Sequence, residues 1–414
     1  MAVRGAMHQA GAAAVGRLLS LDSGAPPRVP CSCGAQAQLH SIRSKRLLTA
    51  VGPVEFERAY YLCPRCHEGH SPRDRELDVE GTECSPGVRR MTALVGSESS
   101  FEQGREQLEL LAGLDLTAKA VERQAEAIGA DIAAREREEI RRAKQLDLPE
   151  VCAPSAPILY IEMDGTGVPV VKAETEGRAG KTEGQPARTR EVKLGCVFTQ
   201  TATDKEGRPV RDEDSTTYTA AIETAEEFGL RLYSEAWRRG WSRAKKKAIL
   251  ADGAIWIWNL AEQHFPGAIQ IVDLYHAKQH LWELSAKLFA ADQKGRKKWL
   301  ARSLKQLEKG KIEALVKTLR DLNPVSEELA KIVNNEADYF HRNAERMRYP
   351  AFRAQGLFVG SGVVEAGCKA VIAARLKRSG MFWTVRGANA IIALRCCRLS
   401  RNFQDYWEAR SRAA

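Results

Sequence analysis

The chain has 414 residues, 44% hydrophobic and 28% charged, with 63 Lys and Arg against 53 Asp and Glu. That length suggests two to four folded units, and the apolar share supplies a core and excludes a wholly disordered chain. No apolar run approaches the ~18–20 residues of a membrane span. The best N-terminal candidate, residues 11–21, carries Arg17 in its middle, so it is not a clean signal sequence either. The reading is an intracellular protein whose formal charge of +10 favours a polyanionic partner.

In chain order, residues 1–22 read as a short helix closed by Pro26-Pro27. From Cys31 to Cys66 the pattern is knuckle, hairpin, knuckle, with β-prone stretches at 47–51 and 54–61 separated by Gly52-Pro53. Residues 86–145 are helical, with Thr117 as an N-cap inside them. A proline-containing linker follows at 152–157, and then the texture changes. Residues 158–163, 168–172 and 192–199 are three extended segments around a polar loop at 174–190. Next come a helix over 219–239, a strand at 248–251, a helix at 254–264 and a strand at 268–272. This β-β-β-α-β-α-β order predicts an α/β mixed sheet. Residues 276–357 run as helices without a strand, Gly360-Ser361-Gly362 breaks them, and 363–377 and 387–399 are further helices.

The expected domains are an N-terminal helix (1–26), a zinc ribbon (27–85), a helical DNA-binding or dimerisation region (86–150), a catalytic domain in two parts (151–275 and 358–414) and a helical insertion between them (276–357). Within 86–150, residues 117–123 after a tight turn read either as a DNA-reading helix or as a packing helix.

Ten cysteines are too sparse for a disulfide scaffold. Four form a pair of pairs, Cys31-Ser-Cys33 and Cys63-Pro-Arg-Cys66, and such knuckles let two sulfurs converge on one structural Zn²⁺. His67 or His70 is a substitute ligand. Arg43, Lys45 and Arg46 lie in the hairpin between the knuckles and read equally as a phosphate-contacting edge or a solvated strand face. The other cysteines, including Cys152, read as small buried hydrophobes.

Asp164 and Asp252 each stand where a strand ends, and each is followed by glycine. Glu365 begins a helix after the Gly360-Ser361-Gly362 break. Two aspartates and a glutamate that converge in this way suit a hard divalent cation, Mg²⁺ or Mn²⁺, and the order of elements is that of a ribonuclease-H-like fold. Glu162 and Asp273 compete for the same role, and ordinary caps and turn residues are the plain alternative.

Several blocks resemble bacterial insertion-sequence transposases of the ISKra group, which are Mutator-like. These are Glu162-Met163-Asp164-Gly165-Thr166, Ala251-Asp252-Gly253-Ala254 with Trp256 and Trp258, Asp273-Leu274-Tyr275-His276, Ser361-Gly362-Val363-Val364-Glu365, and Gly380-Met381-Phe382-Trp383. The resemblance implies a catalytic Asp164, Asp252, Glu365 triad holding Mg²⁺ or Mn²⁺. It also makes Asp273 and His276 the acidic-x-x-His signature beside it and so catalytic residues, with a helix-start histidine hydrogen-bonded to Asp273 as the plain alternative for His276. The single residue between Cys31 and Cys33, where two are usual, departs from the pattern.

Two basic stretches complete the picture. Residues 237–247 hold Arg238, Arg239, Arg243, Lys245, Lys246 and Lys247 without an acid, interleave Trp237 and Trp241, and lead into the strand before Asp252, so they read as a cationic lip to the acidic site. Residues 366–414 hold ten basic residues, among them Lys369, Arg375, Lys377 and Arg378, against Asp405 and Glu408, and read as a DNA-contacting surface. The expected function is a DNA transposase that cleaves at element ends and transfers the 3′-OH into target DNA. Its partners would be double-stranded DNA and at least one further copy of the chain, in the bacterial cytoplasm on the nucleoid. The alternatives are a zinc-ribbon DNA-binding regulator without activity and a related nuclease that cleaves without joining.

Overall fold

The computed structural model describes residues 2–20, 24–145, 147–148, 155–180 and 185–413; Cys152 and the first half of the expected linker lie outside them. The chain forms two compact units, Met1–Ala133 with Arg401–Ala414, and Ala134–Ser400.

In the first unit, helix α1 (Ala2–Ser20) precedes an antiparallel sheet of β1 (Arg28–Pro30), β2 (Gln36–Thr49), β3 (Gly52–Leu62) and β4 (Gly69–His70), in that order. β2 and β3 form a long hairpin paired from Thr49↔Gly52 to Gln38↔Leu62. Val54 and Phe56 alternate inward with exposed Glu55 and Glu57, the period of two that fixes which face of a strand is buried. Helix α2 (Pro72–Glu76) supplies buried Asp74, which accepts from Lys45 Nζ at 3.2 Å and Arg58 Nε at 2.6 Å. Helices α3 (Pro86–Glu98) and α4 (Phe101–Gln107), a π-helical turn over Leu108–Ala112 and the start of α5 (Ala118–Lys144) surround Val88, Leu108, Leu114 and Val121. Thr117 caps α5 as expected, its Oγ1 accepting from Ala120 N at 3.1 Å.

The C-terminal helix Phe403–Ala413 belongs to this unit and not with the preceding helices of 358–400, with which the sequence reading groups it. Tyr406 donates to Asp131 at 2.7 Å, and Arg410 donates to both oxygens of Asp78 and to Asp131. Arg410 is thus an internal tie and not part of a free basic tail.

The second unit is built on a five-stranded mixed sheet. Its elements are β5 (Ile158–Pro169), β6 (Thr189–Gln200), a small ribbon of β7 (Ala202–Thr203) and β8 (Pro209–Val210), β9 (Thr217–Ala221), α6 (Ala225–Arg238), β10 (Lys246–Ala251), α7 (Ile255–His264) and β11 (Ile269–Val272). The strand order is β11-β10-β5-β6-β9. β5, β6 and β9 are antiparallel neighbours, whereas β10 runs parallel to β5 and β11 parallel to β10.

Two expected elements change identity. The separate strand at 168–172 is absent, because β5 runs unbroken through Asp164-Gly165-Thr166-Gly167 with every residue paired to β6. The third strand is instead Thr217–Ala221, of which the sequence reading gives residues 219–221 to the head of a helix. Its β-branched and aromatic residues favour a strand, and the helix starts only at the capping box of Thr224 and Glu227.

After the sheet come α8 (Leu274–Leu288), α9 (Gln293–Glu308), α10 (Ile312–Arg320), α11 (Glu327–Arg342) and α12 (Tyr349–Ala354), a helical run with no strand among its described residues. Then follow α13 (Gly362–Gly367), a π-helical segment over Cys368–Ala373, α14 (Ala374–Leu376) and α15 (Val385–Leu399). A π turn displaces carbonyls from their usual donors. Buried Arg395 on α15 meets two of them, donating to Val371 O at 2.7 Å and to Ala370 O.

Replacing Arg410 with Ala leaves Asp78 and Asp131 without this partner in a partly buried setting. The expected loss is about 1–3 kcal/mol of first-unit stability, read as a lower denaturant midpoint at unchanged slope.

Candidate functional site

In the first unit the two knuckles close on each other. The sulfurs of Cys31, Cys33, Cys63 and Cys66 lie within 4.8 Å of one another, with Cys31–Cys66 and Cys33–Cys63 both 3.6 Å apart. A tetrahedron with Zn–S bonds of about 2.3 Å has S–S edges of about 3.8 Å, so the donor set fits Zn²⁺. Backbone amides favour the thiolates that the ion requires. The Cys33 amide lowers Cys31, and the Cys66 amide lowers Cys63 to about 6; Cys66, although the Glu68 amide lowers it, is pushed up to about 12 by burial and by the neighbouring sulfurs of Cys63, Cys31 and Cys33. The short Cys31-x-Cys33 knuckle therefore reaches the site, and the four sulfurs converge without His67 or His70 among the ligands.

In the second unit, parallel pairing sets Leu250 opposite Glu162. Two residues further along, Asp164 in β5 and Asp252 just past β10 stand at the same level. Asp164 does not end its strand: it pairs with Leu194 in mid-β5. Its Oδ1 accepts from Gly165 N at 2.6 Å and its Oδ2 from the Cys368 thiol at 3.4 Å. Burial pushes the Asp164 carboxyl up, these two donors oppose that, and the neighbouring Asp252 carboxylate adds to the rise. Asp252 Oδ1 accepts from Ala254 N at 2.9 Å. Glu365 on α13 is exposed and accepts no hydrogen bond among the described residues. Only the four cysteines bring three or more ligand atoms within 4.8 Å among the described residues, so the three carboxylates span more than one ion's ligand sphere.

Two further acids hold this arrangement and do not join it. Glu162 is fully buried beneath α13, where its Oε2 accepts from Val364 N at 2.7 Å. Burial pushes its carboxyl up to about 8 against that amide bond. Asp273, expected as a catalytic residue, is corrected to a positioning one. It is 1% exposed, and its carboxylate is saturated by the backbone N–H groups of Tyr275, His276 and Ser361 and by the Ser361 hydroxyl. Asp273 caps α8 and pins the loop that starts α13.

His276 meets Asp273 only through its backbone; its ring turns to His280, with Nε2 to Nε2 at 3.3 Å. His280 Nδ1 lies 2.8 Å from Glu336 Oε2, and its ring stacks on Tyr339 at 4.2 Å. Tyr339 donates to the Asp252 carbonyl at 2.9 Å. Gly253 has φ +96°, and an added Cβ would lie 2.8 Å from the Tyr339 ring, so no other residue fits there. Helix α11 of the insertion thus braces both the Asp252 turn and His276. Of these residues, His280 has a sequence signal, four residues after His276 on one helix face. Glu336 and Tyr339 have none, because only the fold brings them near.

The predicted cations divide. Lys377 donates to Thr166 Oγ1, two residues from Asp164, and Lys369 is exposed one turn after Glu365. Arg378 folds onto Ala374 O at 2.8 Å. Arg375 is fully buried, its guanidinium beside Met381 and 5.0 Å from the Trp383 ring centre, and so is no phosphate contact. Lys245, Lys246 and Lys247, preceded by Arg238, Arg239 and Arg243, stand at the start of β10, and Asp252 follows its end. With about 3.3 Å per residue, some 17–20 Å separates them. They are not a lip to the acidic site. Arg238 also pairs with Glu235 and Glu139, and Arg239 donates to Ser215 O at 2.7 Å. Trp383 is core and donates to Leu376 O, whereas Phe382 is exposed.

Residues 35–405 match the family model described as an uncharacterised protein family, UPF0236, and the chain belongs to that family. A curated relative, "UPF0236 protein in vanSb 3'region" of Streptococcus gallolyticus, is 23% identical over 388 residues, covering 89% of this chain and 76% of the relative. Among solved structures, the "Drosophila P element transposase strand transfer complex" aligns over 81% of this chain and 84% of that one. Identity is 9% and the TM-score 0.24, too low to show a shared fold. No helix among the described residues is long and apolar enough to cross a membrane.

Two outcomes follow from the geometry. Atomic absorption should find one zinc per chain, lost in Cys63→Ser together with the folded hairpin; unchanged zinc in that variant would contradict the four-sulfur site. Glu162→Gln, which keeps an acceptor for Val364 N, should fold near wild-type stability, whereas Glu162→Ala should cost about 3 kcal/mol through the orphaned amide and the cavity, measured by denaturant unfolding.

Proposed function

We propose that this chain is a metal-dependent DNA transposase of the ISKra, Mutator-like kind, with a ribonuclease-H-like catalytic domain in its second unit. The observation that carries the reading is the alignment of Asp164 in β5 with Asp252 just past the end of the parallel neighbour β10, with Glu365 on the helix that Glu162 caps. The strand order, three antiparallel strands followed by two parallel ones on the far side of the first, supports it. So does the helical insertion between the second aspartate and the glutamate.

Asp164, Asp252 and Glu365 are the residues that would hold Mg²⁺ or Mn²⁺. When bound, such ions supply positive charge for the attacking and leaving oxygens of an in-line phosphoryl displacement. The remaining work falls to this chain's own groups. Glu162 and Asp273 fix α13, the helix that carries Glu365. Tyr339 holds the Asp252 turn, and the Glu336–His280 pair orients the His276 ring near Asp164. Lys369 and Lys377, beside Glu365 and Asp164, are placed to take backbone phosphates. In the reaction, water forms a bond to the phosphorus at the element end and the 3′-oxygen leaves as a hydroxyl, taking up the proton that the water gives; that hydroxyl then attacks a target phosphorus in the same site, forming a new 3′–5′ phosphodiester as the target's own 3′-oxygen leaves with the proton. No protein nucleophile is required. Joining two ends calls for at least two copies of the chain, and the zinc ribbon has a structural role.

The test is a plasmid carrying the element with its native flanks, incubated with purified protein and Mn²⁺. Wild type should give cut ends and joined products, and Asp252→Asn should lower both by at least 100-fold while still binding DNA. Cut ends without joining would favour a nuclease. DNA binding with no metal-dependent cutting in either protein would leave a zinc-ribbon regulator.

A further inference from the structure

The helical insertion carries a second surface that the carboxylate cluster does not use. In α9 and the turn after it, Lys294, Lys298, Arg302, Lys305 and Lys309 recur at steps of four, four, three and four residues, with Lys297 alongside. Such steps keep side chains on one helix face, and all six are exposed. None of them is in an ion pair among the described residues. The two nearest acids are otherwise engaged: Asp292 accepts from Gly295 N at 2.8 Å, and Glu308 pairs with Lys278 at 2.5 Å. The opposite face of α9 is the packed one. Ser303 and Leu307 are fully buried there, Trp299 lies 5.8 Å from the Phe289 ring, and Arg296 donates to Ser285 Oγ at 3.2 Å.

We propose that this stripe on α9 is a duplex-DNA backbone-binding surface, separate from the catalytic carboxylates and carried on the same helical body that braces them. Charge that folding leaves unneutralised on one face is a site for a polyanion. The cations advance by about 6 Å per turn of helix over roughly 22 Å, a length that spans about six base pairs of B-DNA. A membrane surface is disfavoured, because an interfacial helix exposes an apolar face, whereas Trp299, Leu300, Leu304 and Leu307 are turned inward or part-covered. The choice of DNA among polyanions rests on the transposase reading. α11, which contacts His280 and the Asp252 carbonyl, belongs to the same helical run, so a duplex held on α9 would be held by the body that supports the reactive turn.

The test compares the full-length wild type, Lys294→Gln/Lys298→Gln/Arg302→Gln, and the charge-preserving Lys294→Arg/Lys298→Arg/Arg302→Lys. Each is titrated without divalent cation against a fluorescein-labelled duplex of an element end, an unrelated DNA duplex, an RNA duplex and phosphatidylserine vesicles, in a series of KCl concentrations. Loss of three phosphate contacts should lower the slope of log affinity against log salt by about 2.7. It should weaken binding to both DNA duplexes by on the order of 100-fold near 0.1 M salt, with the charge-preserving variant unchanged. Equal slopes and affinities for wild type and the Gln variant, with matching circular dichroism, would overturn the proposal; so would a loss confined to RNA or to vesicles. Because no divalent cation is present, the result is separable from catalysis. Wild type that shows the expected binding here but gives no cutting in the plasmid assay with Mn²⁺ would sink the transposase reading and leave the stripe, and wild type that binds no duplex would sink both.

Discussion

Parallel pairing of β10 with β5 is the constraint on which the acidic site depends. The register runs from Lys246 opposite Ile158 to Leu250 opposite Glu162, and it alone brings Asp164 and Asp252, 88 positions apart in the sequence, to one level of the sheet. A slip of one residue would turn the side chains of β10 to the other face. It is prevented because both strands are buried on both sides: Leu159, Tyr160, Ile161, Ala248, Ile249 and Leu250 are all fully covered. The hydrophobic core is therefore the device that sets the spacing between two carboxylates.

The third carboxylate comes from outside the sheet, and its position has to be fixed by polar contacts. A buried carboxyl at Glu162 meets the first turn of α13, and a buried carboxylate at Asp273 meets Ser361 just before it. Past α13 the helix widens into a π turn, whose carbonyls are met by Arg395. Such groups are costly to bury alone and are stable only as donors and acceptors of one another. Removing any one leaves partners exposed to the same cost, so the site and the fold around it are expected to fail together when these contacts are cut. Helix α11 adds a brace from the other side through Tyr339 and Glu336.

Much of this was legible in the sequence, for identifiable reasons. Strands β10 and β11 read out as short apolar runs that end in Asp, and the cysteine knuckles have metal-ligand spacing. The helical run had no competing strand signal. Strand β9 was missed because Thr217–Ala221 abuts a strong helix and shares its apolar texture, and β5 was cut short because Gly165 and Gly167 look like a turn although both pair with β6. The roles of charged residues were the least legible. Arg375, Arg395 and Arg410 count as surface charge in the sequence, yet each is engaged inside the fold, while the basic stripe on α9 was diluted by the leucines and glutamates around it. The run from Arg238 to Lys247 adjoins the strand of Asp252 in sequence, but a strand separates its two ends in space. Glu336 and Tyr339 carry no local pattern that marks them as neighbours of Asp252.

The central claim is that Asp164 and Asp252 act as one cation site. Electron paramagnetic resonance of free Mn²⁺, titrated against zinc-loaded protein, tests it without DNA or turnover. Wild type should sequester Mn²⁺, and Asp164→Asn and Asp252→Asn should each abolish that uptake while leaving the zinc content and the circular dichroism spectrum unchanged. Mn²⁺ uptake of the same extent and affinity in both variants and in wild type would contradict the shared site.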